Sequence, residues 1–130
     1  MIGVDTNILM RYLLQDDEAQ SPQAKAVMDG FTDAEPGFIS LVTLVEMVWL
    51  LRRTFKRPQE EIVLTVQALL ASPSICIQED NAVNTAIEIT QRENCDLPDA
   101  LVAVLGAQAG CSFTLTFDRK AVTIPGMEMV

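Results

Sequence analysis

Asp5, Glu46, Asp99 and Asp118 each stand inside or at the edge of a strongly apolar stretch, far from one another along the chain. Glu46 is the only charge between Phe38 and Leu51, and Asp99 the only one between Leu97 and Ala107. Asp5 closes the run that starts at Met1, and Asp118 closes Phe113 to Phe117. Ionised carboxylates are seldom buried unless paired or bound to a metal, because stripping water from the charge is costly. Four of them gathered by a fold would repel one another and require a cation. The sequence has no histidine, which excludes Ser-His-Asp and Cys-His catalysis and imidazole ligands, and its three scattered cysteines form no CxxC pair, so oxygen is the expected metal donor. Oxygen donors suit Mg²⁺ or Mn²⁺ rather than zinc or copper. The matching chemistry is hydrolysis of a phosphodiester, in which the metal activates water and offsets phosphate charge. Thr6, Asn7 and Thr116 flank the acids and are placed to orient ligands or water.

Each acid also has a purely structural alternative. Asp5 and Asp96 suit helix N-caps, Asp99 is favoured in a first helical turn by the macrodipole, and Asp118 can open a turn. Glu46, two turns inside an apolar helix, caps nothing.

The elements that must position these groups follow from periodicity. Met1 to Asp5 reads as a buried strand and Thr6 to Leu14 as a helix capped by Asp5 or Thr6. Ser21-Pro22 predicts a cap with proline at the first helical position, opening a helix to Asp29. A short strand at Phe38-Ile39 precedes a long helix from Ser40 to Phe55, apolar nearly all round until Arg52. A helix from Gln59 to Ala71, a strand at Ile75 to Ile77, a helix from Asp80 or Asn81 to Glu93 and a helix from Leu97 to Ala109 follow. Gly110 stops the last helix. Ser112 to Phe117 is the clearest strand, and Met127 to Val130 an edge strand after Pro125-Gly126. Strands alternating with helices predict one doubly wound α/β domain over residues 1–130, with a parallel sheet flanked by helices. In such sheets sites form beyond the carboxyl ends of the strands, where Asp5 and Asp118 fall. Asp96 and Asp99, three apart, share a helix side, and Glu46 has the reach to join them.

Composition narrows the rest. A chain of 130 residues, 49% hydrophobic and 21% charged, is long enough for a core and too apolar for disorder. No run approaches the ~20 apolar residues of a membrane span, and no secretory signal opens the chain, so the expected location is the cytoplasm. Three scattered cysteines, Cys76, Cys95 and Cys111, are expected to be buried free thiols. A net charge of −9 argues against general nucleic-acid binding but not against a nuclease whose bound cation reverses the local field. Cations cluster at Arg52, Arg53, Lys56 and Arg57, and again at Arg119 and Lys120. They serve either a helix C-terminus or phosphate steering.

Four stations in order, Val4-Asp-Thr-Asn7, Ser40 to Glu46, Asp96 to Val102 and Leu115 to Ala121, resemble the PIN domains, specifically VapC toxins of toxin–antitoxin pairs. The resemblance spans essentially the whole chain. It implies a five-stranded parallel sheet, a Mg²⁺- or Mn²⁺-dependent endoribonuclease acting on RNA, a homodimer, and neutralisation by a cognate antitoxin that lays a segment along an apolar groove. It marks Asp5, Glu46, Asp99 and Asp118 as catalytic metal ligands, Thr116 as the accompanying hydroxyl and Asp96 as a supporting acid. Apolar residues near the first and third helices (Met10, Tyr12, Leu13, Val45, Val48, Trp49) suit that groove, or simply a core. Two other classes compete. An aspartate-based phosphatase or receiver domain would want an Asp-x-Asp after the first strand, which is missing. A non-catalytic interaction module would keep the fold without needing four mutually repelling carboxylates.

Overall fold

Parallel strands cannot be joined by a tight turn, so each connection must leave the sheet and return through helices. A computed structural model, which describes residues 1–130, follows this rule in the first of two compact units, Met1–Gln78 and Glu79–Val130. In the first unit β1 (Ile2–Gly3), β2 (Gly37–Ile39) and β3 (Ile75–Ile77) pair in parallel in that order. Gly3 lies opposite Phe38, and Ile39 opposite Ile77. Each crossover carries two helices: α1 (Thr6–Leu14) and α2 (Gln20–Asp29), then α3 (Leu41–Arg53) and α4 (Gln59–Ala71). Leu9, Leu44, Met47, Ile62 and Val66, on the apolar stripes of α1, α3 and α4, are fully buried, as is Ile39 of β2.

Helix α2 starts earlier than Ser21-Pro22 suggests. Asp17 does the capping, its Oδ1 accepting from the N–H groups of Gln20 at 2.7 Å and Ala19 at 3.0 Å. The buried Ser21 hydroxyl accepts in turn from the Asp17 N–H at 3.2 Å. The bond from Gln20, then that from Ala19, hold the Asp17 carboxyl below its usual range. This cap therefore supports folding above the ordinary carboxylate pKa and is lost as pH falls through the lowered one.

In the second unit α5 (Asp80–Glu93) packs on α6 (Leu97–Gln108), and α6 on β4 (Thr114–Thr116), which pairs in parallel with β5 (Met127–Met129). A 3-10 turn at Ala121–Thr123 joins the two strands. Glu79, left-handed at φ 52°, occupies the cap position of α5, ahead of the expected Asp80 or Asn81. Gly110 ends α6 at φ 95°, a conformation that favours glycine.

All five expected strands form and all pair in parallel, but in sheets of three and two rather than one sheet of five. The ladders are short, two residues for β1 and three for β4, so each sheet ends on a brief edge. Phe113, Leu115 and Phe117 are exposed, while Thr114 and Thr116 are the half-buried side. The thiols also differ: Cys95 is buried, whereas Cys76 and Cys111 are exposed.

Gly37 opens the central strand where a larger residue cannot fit, because a Cβ there would lie 2.5 Å from the Phe31 ring. Overpacking of this kind costs about 1–3 kcal/mol. Gly37→Ala should lower the denaturant midpoint accordingly, and an unchanged midpoint in urea would contradict the placement of Phe31.

Candidate acidic site

Asp5, Ser40 and Gln78 stand at the carboxyl ends of β1, β2 and β3, one after another along one sheet edge. The register places Asp5 and Ser40 two residues beyond the pair Gly3 and Phe38, and Gln78 and Ser40 one beyond Ile77 and Ile39. Asp5 caps α1, its Oδ1 accepting from the Ile8 N–H at 3.2 Å while its side chain stays exposed. Its second oxygen makes no hydrogen bond within the first unit. Thr6 is half-buried and Asn7 exposed.

Ser40 caps α3 by accepting from the Thr43 N–H at 3.2 Å. Gln78 adds a second cap, its Oε1 accepting from the Leu41 N–H at 2.9 Å while its own N–H donates to the Ile39 carbonyl. Both bonds hold the start of α3 to the sheet edge that carries Asp5. Gln78 has no sequence signature as a cap, since its partner lies 37 residues away. Glu46 follows on α3, exposed and without a hydrogen bond or ion pair. Its setting is thus a solvent-facing helix side, not the apolar interior that its neighbours suggest.

The second unit carries the other acids. Asp96 holds the extended cap position of α6 without a side-chain bond, and Asp99 is half-buried in the first turn. Asp118 is exposed just past β4, and its backbone is tightly specified. Its N–H donates to Thr116 Oγ1 at 3.0 Å, and its Oδ1 accepts from the Lys120 N–H at 2.8 Å. Thr116 therefore orients the acid through its backbone. Arg119 and Lys120 extend from the same exposed turn.

Within neither unit do three acids, cysteines or histidines stand close enough to hold a metal ion. In the first unit, the two sequence-predicted ligands are Asp5 and Glu46; in the second, Asp99 and Asp118, with Asp96 three residues before Asp99. The donor set is all oxygen, which suits a hard divalent cation. Beside Asp99 and Asp96 sits the Cys95 thiol, which burial pushes up, reinforced by those two charges and countered by the Thr90 hydroxyl.

Parallel strands, helix-bearing crossovers and acids just past the strand ends define the α/β class whose chemistry is done at the sheet edge. Over residues 2–126 the sequence matches the PIN domain family, and the chain belongs to it. A solved structure described as a toxin–antitoxin complex from Klebsiella pneumoniae is similar at 22% identity, covering 98% of this chain and 96% of that one with a TM-score of 0.39. No curated protein matches the sequence. No helix is long and apolar enough to cross a membrane.

The thiol environments are directly testable. Iodoacetamide at neutral pH should modify Cys76 and Cys111 in the folded protein and reach Cys95 only on unfolding, since a buried protonated thiol is a poor nucleophile. Mass mapping that finds Cys95 alkylated as fast as Cys76 would contradict its burial next to Thr90.

Proposed function

We propose that this chain is a Mg²⁺- or Mn²⁺-dependent endoribonuclease, the toxin of a toxin–antitoxin pair, with residues 1–130 acting as one functional domain in the cytoplasm. The observation that carries this reading is the PIN family match over nearly the whole chain, since PIN domains are generally nucleases. Asp5, Glu46, Asp99 and Asp118 are the residues that would hold the ion. When bound, the ion supplies the positive charge and activated water that phosphodiester hydrolysis needs.

The chain's own groups prepare for that charge. Backbone N–H donors occupy one oxygen each of Asp5 and Asp118, which fixes the carboxylate planes and leaves the other oxygen to a ligand. Thr116 holds the Asp118 backbone, and Glu46 is free to turn from its helix. Thr6, Asn7 and Asp96 are near enough in sequence to support these acids. Arg119 and Lys120 beside Asp118, with Arg52 and Arg53 beyond Glu46, would draw the phosphate chain inward.

The antitoxin has a fitting surface on the first unit. A groove of about 440 Å³ is lined by Tyr12, Leu13, Met28, Phe31, Leu69 and Ile75, with Asp29, Thr65, Ser72 and Ser74 as its polar part. Its apolar walls suit a hydrophobic peptide segment, and a basic residue on that segment would compete with Lys25, which holds Asp29 at 2.6 Å. Tyr12 and Leu13 belong to this groove, whereas Met10 and Val48 are core. A homodimer completes the proposed assembly.

Purified protein and its Asp5→Asn variant should be incubated with total RNA in Mg²⁺, in Mn²⁺ and in chelator. Asparagine keeps the cap of α1, so the fold is retained. Wild type is expected to cut only with metal, and the variant to lose more than the roughly 10–100-fold that an outer-shell change alone costs. Equal cutting by both would remove Asp5 from the site; no cutting under any condition would favour a non-catalytic interaction module.

A further inference from the structure

One short segment of the first unit departs from the chemistry of the whole chain. Between Trp49 and Arg57 lie four of the nine cations and none of the eighteen acids, in a protein of net charge −9. All four cations are exposed, and so are two aromatic residues, Trp49 at 53% and Phe55 at 40%. An exposed tryptophan is a costly placement for so large an apolar surface. Helix geometry sets it on the same side as its neighbours: Glu46 is three residues before it, Arg52 three after and Arg53 four after.

The cations are also available. Arg57 pairs with Glu61 at 3.0 Å, but Arg52, Arg53 and Lys56 make no side-chain hydrogen bond or ion pair. Stabilising the C-terminus of α3 would use one or two cations near its last carbonyls, and it gives no reason for two exposed rings among them. The segment is held in one shape. Phe55 N–H donates to the Leu50 carbonyl at 3.1 Å and Arg57 N–H to the Leu51 carbonyl at 2.9 Å, and Lys56 between them is left-handed at φ 55°. This closed turn presents Phe55 and Lys56 beyond the end of the helix without loose backbone.

Alternating exposed rings and unpaired cations form the surface on which unpaired bases stack while phosphates are neutralised. Duplexes offer no unstacked base to such rings, whereas single-stranded RNA does. We propose that Trp49 and Phe55, with Arg52, Arg53 and Lys56, form the docking surface for single-stranded RNA, bases stacking on the rings and phosphates meeting the cations. This deepens the ribonuclease reading and rests on it. It assigns the strand's path to the last two turns of α3, beginning one turn beyond Glu46, and makes Trp49 a binding residue rather than part of a core.

The test uses the sole tryptophan of the chain. The full-length protein is titrated, in chelator so that nothing is cut, with a short fluorescein-labelled single-stranded oligoribonucleotide of mixed sequence. Trp49 emission and fluorescein anisotropy are read together. Saturable quenching that tracks the anisotropy is expected. Trp49→Ala should weaken binding roughly 5- to 150-fold, the usual loss for one stacked base, and Trp49→Phe should restore most of it. Arg52→Gln and Arg53→Gln, both at exposed positions, should each lower the salt dependence of log K by about 0.7.

RNA binding with unchanged Trp49 emission, and equal affinity in Trp49→Ala, would overturn the surface and leave the nuclease reading standing. Emission that follows protein concentration instead of RNA would make this face a self-association surface and also overturn the proposal. Absence of RNA binding would overturn it too, while metal-dependent cleavage, measured separately, decides the nuclease reading. A circular dichroism melt of Trp49→Ala matching wild type shows that any lost affinity is not lost folding.

Discussion

Parallel pairing of β1, β2 and β3 decides where the helices of the first unit begin. Because every strand runs the same way, every crossover leaves from the same sheet edge. The first residues after the strands, Asp5, Ser40 and Gln78, are collected there and face the unsatisfied N–H groups of α1 and α3. One covalent requirement thus brings Asp5 to the same edge as the Ser40 and Gln78 caps. An aspartate at this point stabilises a helix whether or not it also binds an ion, so structure and proposed chemistry do not compete for Asp5.

Charge is distributed with the same economy. The acids proposed to hold the ion are exposed or half-buried rather than sealed in the core, which avoids the large cost of a desolvated unpaired carboxylate. The cations near the end of α3 lie on a chain that otherwise repels phosphate. A polyanionic substrate would therefore be guided to a few places rather than bound everywhere.

Much of this architecture was legible in the residues. The strand–helix alternation, the Asp5 cap and the Gly110 stop each follow from a local rule, and each is present. What local rules cannot supply is the partner. Ser21-Pro22 has the right residue types for a helix start, yet Asp17 reaches the free N–H groups first and Ser21 becomes its buried counterpart. Gln78 carries no cap signature because its helix starts 37 residues away. Alternation at Phe113 to Phe117 identifies a strand without saying which face meets α6; Gly106 lets the Thr114 side come close instead. Likewise the apolar run around Glu46 hides the fact that Val42, Glu46 and Trp49 share an exposed helix side. The PIN resemblance anticipated the family that the match over residues 2–126 establishes.

The central proposal is that Asp5, Glu46, Asp99 and Asp118 are ligands of divalent metal, and thermal melting with and without Mn²⁺ addresses it most directly. An ion that binds only the folded chain adds about 2.7 kcal/mol when present at a hundred times its dissociation constant. Wild type should therefore melt higher in Mn²⁺ than in chelator. Asp5→Asn and Asp118→Asn, one from each unit, should both lose that shift and melt above wild type in chelator, since removing one of several like charges relieves repulsion. A wild-type melting temperature that ignores Mn²⁺, or a full shift retained by either variant, would contradict that assignment.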